Sequence, residues 1–376
     1  MRFLHTADWH IGRRLHGFDL TEEQDYAFQQ IETIAQSEHV DGIIIAGDLY
    51  DRSAPAEAAV QQLNRMLQQL NLTDKFPIYA ISGNHDSNIR LATGTPWFPR
   101  TNFYLYTQLE QAFTPIELAD TQIFLLPYFE PFAAQQYFQD ESLQHLDQSV
   151  AAVIAEMKTH FTPGKTHILV AHFFVNGSAQ TDSETQLTVG GLASVPLSLL
   201  SDFDYVALGH LHGKDALQAP QARYSGSPVK FSLSEAHQKK GVYLVDTDAQ
   251  TITFKPLSPL HDVQQLTASF AELTQPEFYQ QYQLTDYFGI TLTDTKPIPN
   301  VLTQLRTIYP RIISLNRAEG FVEQFAYQGE KRQQLQQQDP LDLLSDFYEH
   351  IAQEPLTDQQ KKWAAAALKI ANQEEK

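Results

Sequence analysis

The chain has no cysteine, and that absence removes disulfide staples, thiolate zinc sites and cysteine nucleophiles at once. Any metal must be held by His, Asp, Glu or Asn, and the composition suits a reducing compartment. No run of eighteen apolar residues occurs, and the start, MRFLHTADWH, carries Asp8 where a secretion signal needs an apolar stretch. A soluble, unexported, cytoplasmic protein with no membrane segment is the expectation. Glycine and proline, 17 and 19 of 376 residues, are too few for collagen-like or low-complexity sequence. Basic residues are also scarce. Twenty-six Lys and Arg stand against 45 Asp and Glu, a formal charge of −19 that by itself speaks against nucleic acid or anionic membranes as partners. The rest is ordinary globular material, 42% apolar and 19% charged, long enough for two or three domains.

Over the first two-thirds, short apolar runs alternate with amphipathic stretches, which predicts strands laid between helices and so an α/β domain. Strands are expected at Phe3–Ala7, Gly42–Ala46, Ile78–Ile81, Ile123–Leu126, Ile168–Ala171 and Tyr205–Leu208. Helical spacing marks Glu22–Ser37 through Tyr26, Ile31, Ile34 and Ala35, and Ala56–Leu70 through Val60, Leu63, Met66, Leu67 and Leu70. A hairpin, Gly241–Asp246 and Thr251–Leu257, closes this body. From about residue 263 the pattern changes to a small α+β module: a strand at Gly289–Leu292, a helix through Val301, Leu302, Leu305 and Ile308, and a strand at Ile312–Leu315. A Gln-rich stretch, Gln333–Gln338, precedes two amphipathic tail helices. Leu341, Leu344, Phe347, Tyr348 and Ile351 line the first, and a Thr357/Gln360 capping box opens the second before Trp363, Ala367 and Ile370. The expected division is therefore 1–262, 263–335 and 336–376.

Five of the strands end in side chains that bind metals: Asp8-Trp9-His10, Gly47-Asp48-Leu49-Tyr50-Asp51, Gly83-Asn84-His85-Asp86, His172, and Gly209-His210-Leu211-His212. In open α/β sheets ligands bind beyond the carboxyl ends of the strands, so these motifs converge on one rim. A spacing of two in an extended chain puts both side chains on one face, so Asp8 with His10, and His210 with His212, can each serve one centre. Gly47, Gly83 and Gly209 let the chain turn sharply beside the ligands. Each motif alone has an ordinary explanation. His172 alone would be a buried, hydrogen-bonded histidine, and Gly-Asn-His-Asp alone would be a turn. The coincidence of five strand ends and seven ligand-type side chains is what points to a metal centre.

This ordered series resembles the binuclear metallophosphatases, the calcineurin-like phosphoesterase superfamily. In its wording it is similar to the SbcD-type nuclease subunits. Gly47-Asp48-Leu49-Tyr50-Asp51-Arg52, Ser82-Gly83-Asn84-His85-Asp86-Ser87, Asp204 through His212, Tyr224-Ser225-Gly226-Ser227-Pro228 and Ser234-Glu235 carry that similarity, strongly to about residue 260 and more weakly beyond. The resemblance implies a four-layer α/β/β/α sandwich with a small α+β capping domain and a C-terminal helical tail. It assigns Asp8, His10, Asp48 and His212 to one metal, and Asp48, Asn84, His172 and His210 to the other, with Asp48 bridging. It gives His85 a catalytic role at the scissile phosphate and the leaving 3′ oxygen. Asp51 or Asp86 is expected to orient a neighbouring imidazole from behind the ligands. Two ions about 3.5–4 Å apart can clamp a phosphodiester for in-line attack. Mixed nitrogen and oxygen donors suit Mn²⁺, the expected metal, with Fe²⁺ or Mg²⁺ as alternatives.

The activity that follows is metal-dependent DNA cleavage, exonucleolytic on duplex ends and endonucleolytic on hairpins or single strands, in repair, recombination and replication. The alternative is a free-standing phosphoesterase acting on nucleotides or small phosphodiesters. The resemblance also implies a partner, an SbcC-type ATPase bound through the C-terminal helices, and a homodimer within a heterotetramer. Arg13, Arg14, Arg52 and Arg90 lie near the first three motifs in sequence and are candidates to hold the DNA backbone. The net charge does not exclude this. Two divalent ions bring four positive charges to a rim where Asp8 and Asp48 supply two negative ones. DNA binding by the isolated chain is then expected to be weak and strongly salt-dependent.

Overall fold

The structure, a computed structural model, describes residues 1–182, 194–318, 339–352 and 355–374. It divides into two units, Met1–Gln264 and Gln265–Lys376. Strand β1 (Arg2–Thr6) opens the chain, and a small hairpin of β2 (Arg14–Leu15) and β3 (Phe18–Asp19) leads into helix α1 (Thr21–Ser37). There follow β4 (Gly42–Ala46), α2 (Glu57–Gln68), β5 (Ile78–Ile81), the one-turn α3 (Asn88–Leu91) and β6 (Phe103–Tyr106). β7 (Ile116–Glu117) and β8 (Thr121–Leu126) precede α4 (Pro131–Phe138), α5 (Leu146–Thr159), β9 (Thr166–His172), β10 (Tyr205–Gly209) and β11 (Ala222–Tyr224). The hairpin of β12 (Gly241–Asp246) and β13 (Thr251–Pro256) pairs back onto β1.

These strands form two sheets, ordered β13-β12-β1-β4-β5-β6 and β11-β10-β9-β8-β7. The central strands of each are parallel. Their near-continuous apolar runs are what burial on both faces demands. The period of two sorts the side chains. Phe3, Ala7, Ile44, Ala46, Tyr79 and Ile81 from the first sheet meet Ile123, Leu125, Ile168, Val170, Tyr205 and Ala207 from the second. Alternate residues Leu4, Ile43, Ile45 and Ala80 turn outward onto Phe28 and Ile31 of α1 and Leu63 and Met66 of α2. On the far side Phe124, Leu126, Leu169, Val206 and Leu208 pack on Val150, Val153, Ile154 and Met157 of α5. The result is the expected four layers, with the six expected strands at β1, β4, β5, β8, β9 and β10.

In the second unit, β14 (Val263–Ala268), β15 (Tyr287–Leu292) and β16 (Ile312–Arg317) form a sheet in that order. Short helices α6 (Phe270–Leu273), α7 (Pro276–Tyr279) and α8 (Val301–Arg306) connect them around a core that includes Leu266, Leu273, Phe288, Ile290, Leu305 and Tyr309. Helices α9 (Pro340–Ala352) and α10 (Asp358–Glu374) pack on one another, and Gln360 Nε2 donates to Tyr348 OH at 3.0 Å. The Thr357/Gln360 box forms as its residues predict. The Gln333–Gln338 stretch and the side chains of Phe347, Ile351 and Ile370 lie outside the described residues. Among the described residues no helix is long and apolar enough to cross a membrane.

Candidate metal centre

The carboxyl ends of β1, β4 and β5 in one sheet and β9 and β10 in the other carry the five motifs to one rim. Beyond β1 and β4 the two chains stay bonded: Asp8 N donates to Gly47 O at 3.1 Å, His10 N to Asp48 O at 2.9 Å and Ile11 N to Leu49 O at 3.0 Å. This sets Asp8 and His10 beside Asp48. The backbone there is not extended. Asp8 (φ 54°), His10 (φ 45°), Asp48 (φ 51°) and His210 (φ 100°) all lie at positive φ, where a non-glycine residue is uncommon and costs of order 1–3 kcal/mol. Two carboxylates lock the arrangement, since Asp8 Oδ1 accepts from His210 N at 2.9 Å and Asp48 Oδ1 from His85 N at 2.9 Å. Of the motif glycines, Gly47 turns the chain, with φ 88°. Gly83 and Gly209 serve close approach instead: a Cβ would stand 2.1 Å from Asp48 Oδ1 at the first and 1.8 Å from Ala46 O at the second.

Asp48 stands between two sets of donors. Its Oδ2 is 3.5 Å from His10 Nε2 on one side and 3.3 Å from His172 Nε2 on the other. On the first side His10 Nε2 faces His212 Nε2 at 3.1 Å, and Asp8, His10 and His212 bring ligand atoms within 4.8 Å of one another. On the second, Asn84 Oδ1 lies 2.9 Å from His172 Nε2 and 3.0 Å from His210 Nδ1. All seven candidate ligands are therefore gathered here. The spacing rule holds for Asp8 with His10 but not for His210 with His212. The pleat is broken at both pairs, but only the His210 and His212 rings go to opposite sides of Asp48.

The donors fit divalent cations. Asp8 Oδ2 is buried without a hydrogen-bond partner. Imidazole nitrogens gathered with two carboxylates and no sulfur make a donor set of the type that divalent cations take. The charges within the site show the same tension. Burial raises the Asp8 carboxyl to about 7 against the pull of His172 and His212. Burial would raise Asp48 too, yet His172 and His10 hold its carboxyl well below the usual range. For His172 burial is outweighed by Asp48 and Asp8, and its pKa rises to about 9. Burial, with His172 beside it, lowers His210 to about 3, and burial lowers His10 well below the usual value.

Two rings, His172 and His85, are held from behind by backbone carbonyls rather than by the expected carboxylates. His172 Nδ1 donates to Ala46 O at 2.8 Å and His85 Nδ1 to Asp51 O at 2.8 Å. A carbonyl only accepts, so both rings carry their proton on Nδ1. Asp51 thus orients His85 by its backbone, while its carboxylate lies 3.9 Å from His10 Nδ1. Asp86 orients no imidazole. Its carboxylate accepts from Leu49 N, Tyr50 N and Gly83 N at 3.1, 2.9 and 2.9 Å, pinning the loops after β4 and β5 together, and burial and Asp48 raise it to about 7. The half-exposed His85 ring meets His10 edge-on at 4.7 Å, beside both donor sets.

The four arginines divide. Arg13 faces inward: it pairs with Asp51 at 3.1 Å and lies over Phe231 at 5.0 Å. Arg14 bonds Gly17 O in its own hairpin, Arg52 is exposed and pairs with Asp51 at 3.4 Å, and Arg90 is exposed on α3. Three residues act on the site with no role assigned to them from sequence, although Glu235 lies in the Ser234-Glu235 motif. Phe231 meets His10 and His212 edge-on at 5.4 and 5.5 Å. Glu235 Oε1 lies 3.7 Å from His212 Nδ1, and Lys240 pairs with Glu235. Burial would raise Glu235, but Lys240 and His212 hold its carboxyl far below the ordinary range. The available signal was the Ser234-Glu235 motif itself.

Comparisons with known proteins place the chain in a family. Residues 1–214 match the calcineurin-like phosphoesterase family, and residues 259–351 match the family described as type 5 capsule protein repressor C-terminal domain. A Staphylococcus epidermidis protein, named as the SbcD component of the nuclease SbcCD, is 34% identical over 361 residues, covering 95% of each chain. Its namesake from Staphylococcus saprophyticus subsp. saprophyticus is 33% identical, covering 96% of each. A dimetal phosphatase from Danio rerio, 12% identical, covers 68% of this chain and 95% of its own at a TM-score of 0.41. The chain belongs to the calcineurin-like phosphoesterase family, among its SbcD members.

Proposed function

We propose that this protein is the nuclease subunit of an SbcCD-type complex, a two-metal phosphodiesterase that cuts DNA at duplex ends and at hairpins or single strands in repair and recombination. The observation that carries the reading is Asp48 set between two donor groups, in a chain alike over nearly its whole length to proteins named as nucleases. Asp8, His10 and His212 would hold one ion and Asn84, His172 and His210 the other, with Asp48 shared. Mn²⁺ is the metal this mixed donor set favours. When bound, the ions supply the positive charge that a phosphodiester under attack requires, and they acidify water. The chain's own residues do the rest. The Ala46 carbonyl holds His172 with its Nε2 toward the pocket, Asp86 fixes the loops bearing Asp48 and Asn84, and Asp51 O orients His85, which we assign to the scissile phosphate and its leaving oxygen.

The match of residues 259–351 to a C-terminal domain family supports a separate capping domain at 263–335. The tail, 336–376, would dock on an SbcC-type ATPase in the cytoplasm, in a heterotetramer built on a homodimer of this chain. Arg52 and Arg90 are the exposed cations best placed to meet a phosphate backbone. The test is digestion of a hairpin-ended duplex with Mn²⁺, with and without the ATPase partner and ATP, against an Asp48→Asn control. Cleavage that needs Mn²⁺ and Asp48 is expected, and no cleavage under any of these conditions overturns the reading.

A further inference from the structure

The metal centre is flanked by a buried ion pair that contributes no ligand to it. Glu235 is fully buried and Lys240 nearly so, on the segment between β11 and β12. Lys240 Nζ donates to His212 O at 2.8 Å, Ser227 Oγ at 2.9 Å, Gln238 Oε1 at 2.9 Å and Glu235 Oε2. One ammonium therefore grips the main chain of His212 together with the carboxylate that faces its ring. Ser232 Oγ donates to Glu235 Oε1 at 3.1 Å, so both carboxylate oxygens are engaged. The ring has two nitrogens with different surroundings: Nδ1 faces Glu235 Oε1 at 3.7 Å, and Nε2 faces His10 Nε2 at 3.1 Å inside the pocket. Phe231, edge-on at 5.5 Å, limits rotation of the ring out of this plane.

We propose that Glu235, charged and aimed by Lys240, is a positioning residue that keeps the His212 proton on Nδ1 and so leaves Nε2 turned to the metal pocket as a lone-pair donor. The proposal rests on the metal reading above. At 3.7 Å the contact is electrostatic rather than a hydrogen bond, and a carboxylate, which can only accept, favours the proton on the ring nitrogen turned toward it. A partner of this kind behind a ligating histidine fixes its tautomer and raises its basicity, and losing such a partner typically costs 10- to 100-fold in metal affinity. Lys240 gives the device its direction. In Glu235→Gln the amide must turn its oxygen toward the Lys240 ammonium, which puts its NH₂ against His212 Nδ1. That nitrogen then has to accept, and the proton moves to Nε2, into the pocket. Removing Lys240 as well, in Glu235→Gln/Lys240→Met, frees the amide to turn its oxygen back to the ring.

The experiment uses the full chain with ¹⁵N-labelled histidine, first metal-free, with His212→Gln to assign the ring, and then titrated with Mn²⁺ while free ion is followed by electron paramagnetic resonance. Expected are a wild-type His212 protonated on Nδ1 and an inverted tautomer in Glu235→Gln. Mn²⁺ affinity should be roughly 10- to 100-fold weaker in that variant, with both properties moved back toward wild type in the double variant. A merely structural role for the pair would make the double variant no better than the single one. A wild-type His212 protonated on Nε2, or a folded Glu235→Gln with Mn²⁺ affinity within twofold of wild type, overturns the proposal. If the single variant does not fold, the wild-type tautomer and the double variant still decide. Failure of the wild type to bind Mn²⁺ at all would strike the metal reading, and it is seen separately from the tautomer.

Discussion

The two sides of Asp48 are built from similar side chains but held by different means. On the His172 side the restraint is backbone: the Ala46 carbonyl fixes the ring, and Gly209 lets β10 come close enough to β4 for this to happen. On the His212 side it is a buried ion pair, Glu235 with Lys240, backed by the Phe231 ring. A main-chain restraint can be disturbed only by moving strands, so the His172 side should fail together with the fold. A side-chain restraint can be removed by one substitution, so the His212 side should be separable from it. The four left-handed ligand residues belong to the same contrast. His16, His39 and Gln250 also have positive φ, but in exposed turns where little opposes it, whereas Asp8, His10, Asp48 and His210 are buried and over-determined by the bonds around them.

The largest effect should come from a residue that belongs to neither side. His85→Ala removes a ring that lies beside both donor sets, so DNA cleavage is expected to fall by roughly 10²- to 10⁴-fold, the scale of general acid–base assistance, while Mn²⁺ stoichiometry is unchanged. Loss of Mn²⁺ from that variant would instead make His85 part of the binding site. Next is Gly209→Ala. Its Cβ would sit 1.8 Å from Ala46 O and 2.8 Å from His172 Nδ1, so the sheets must part there. A cost of about 1–3 kcal/mol or more is expected from overpacking, read as a lower denaturation midpoint, with loss of the His172-side ion before the other. Equal loss of both ions would erase the distinction between the two sides. Chelation acts on both at once: with free Mn²⁺ at a hundred times its dissociation constant, each site should add about 2.7 kcal/mol, visible as a melting temperature that falls with chelator and recovers with Mn²⁺.

Most of this arrangement was legible before any coordinates, because strands buried on both faces announce themselves. Gly42–Ala46 and Ile78–Ile81 have no polar residue to confuse the period, and each ends abruptly in ligand-type side chains. What could not be read was the geometry past each strand end. Spacing of two predicts a shared face only while the chain stays extended, and positive φ at Asp8, His10 and His210 takes both pairs out of that regime: Asp8 and His10 stay together, whereas His210 and His212 part. The supports were hidden for a related reason. The Ala46 carbonyl has no side-chain signature, and Glu235 lies 23 residues beyond His212 in an irregular segment that no periodicity marks. Nearness in sequence also misled for Arg13, which turns inward to Asp51 because Phe231 offers it a ring to lie on.

The smallest predicted effect isolates burial from ion binding. His5 sits in the same interior, on β1, and its Nδ1 pairs with Tyr205 OH on β10 at 2.8 Å, bridging the two sheets away from the donor cluster. Burial lowers its pKa to about 3, so the folded protein keeps it neutral. The unfolded chain takes up a proton near its ordinary value of about 6.5. Below that pH the unfolded state binds a proton that the folded state refuses, so the contribution is intact above about 6.5 and is lost as pH falls toward 3. The slope is about 1.4 kcal/mol per pH unit, or about 2 kcal/mol by pH 5. His5→Gln keeps a partner for Tyr205 but cannot titrate. Urea midpoints of the metal-free chain between pH 7.5 and 5 should therefore fall less steeply in the variant than in the wild type. Parallel slopes would place the acid sensitivity in the donor cluster instead and leave His5 as packing alone.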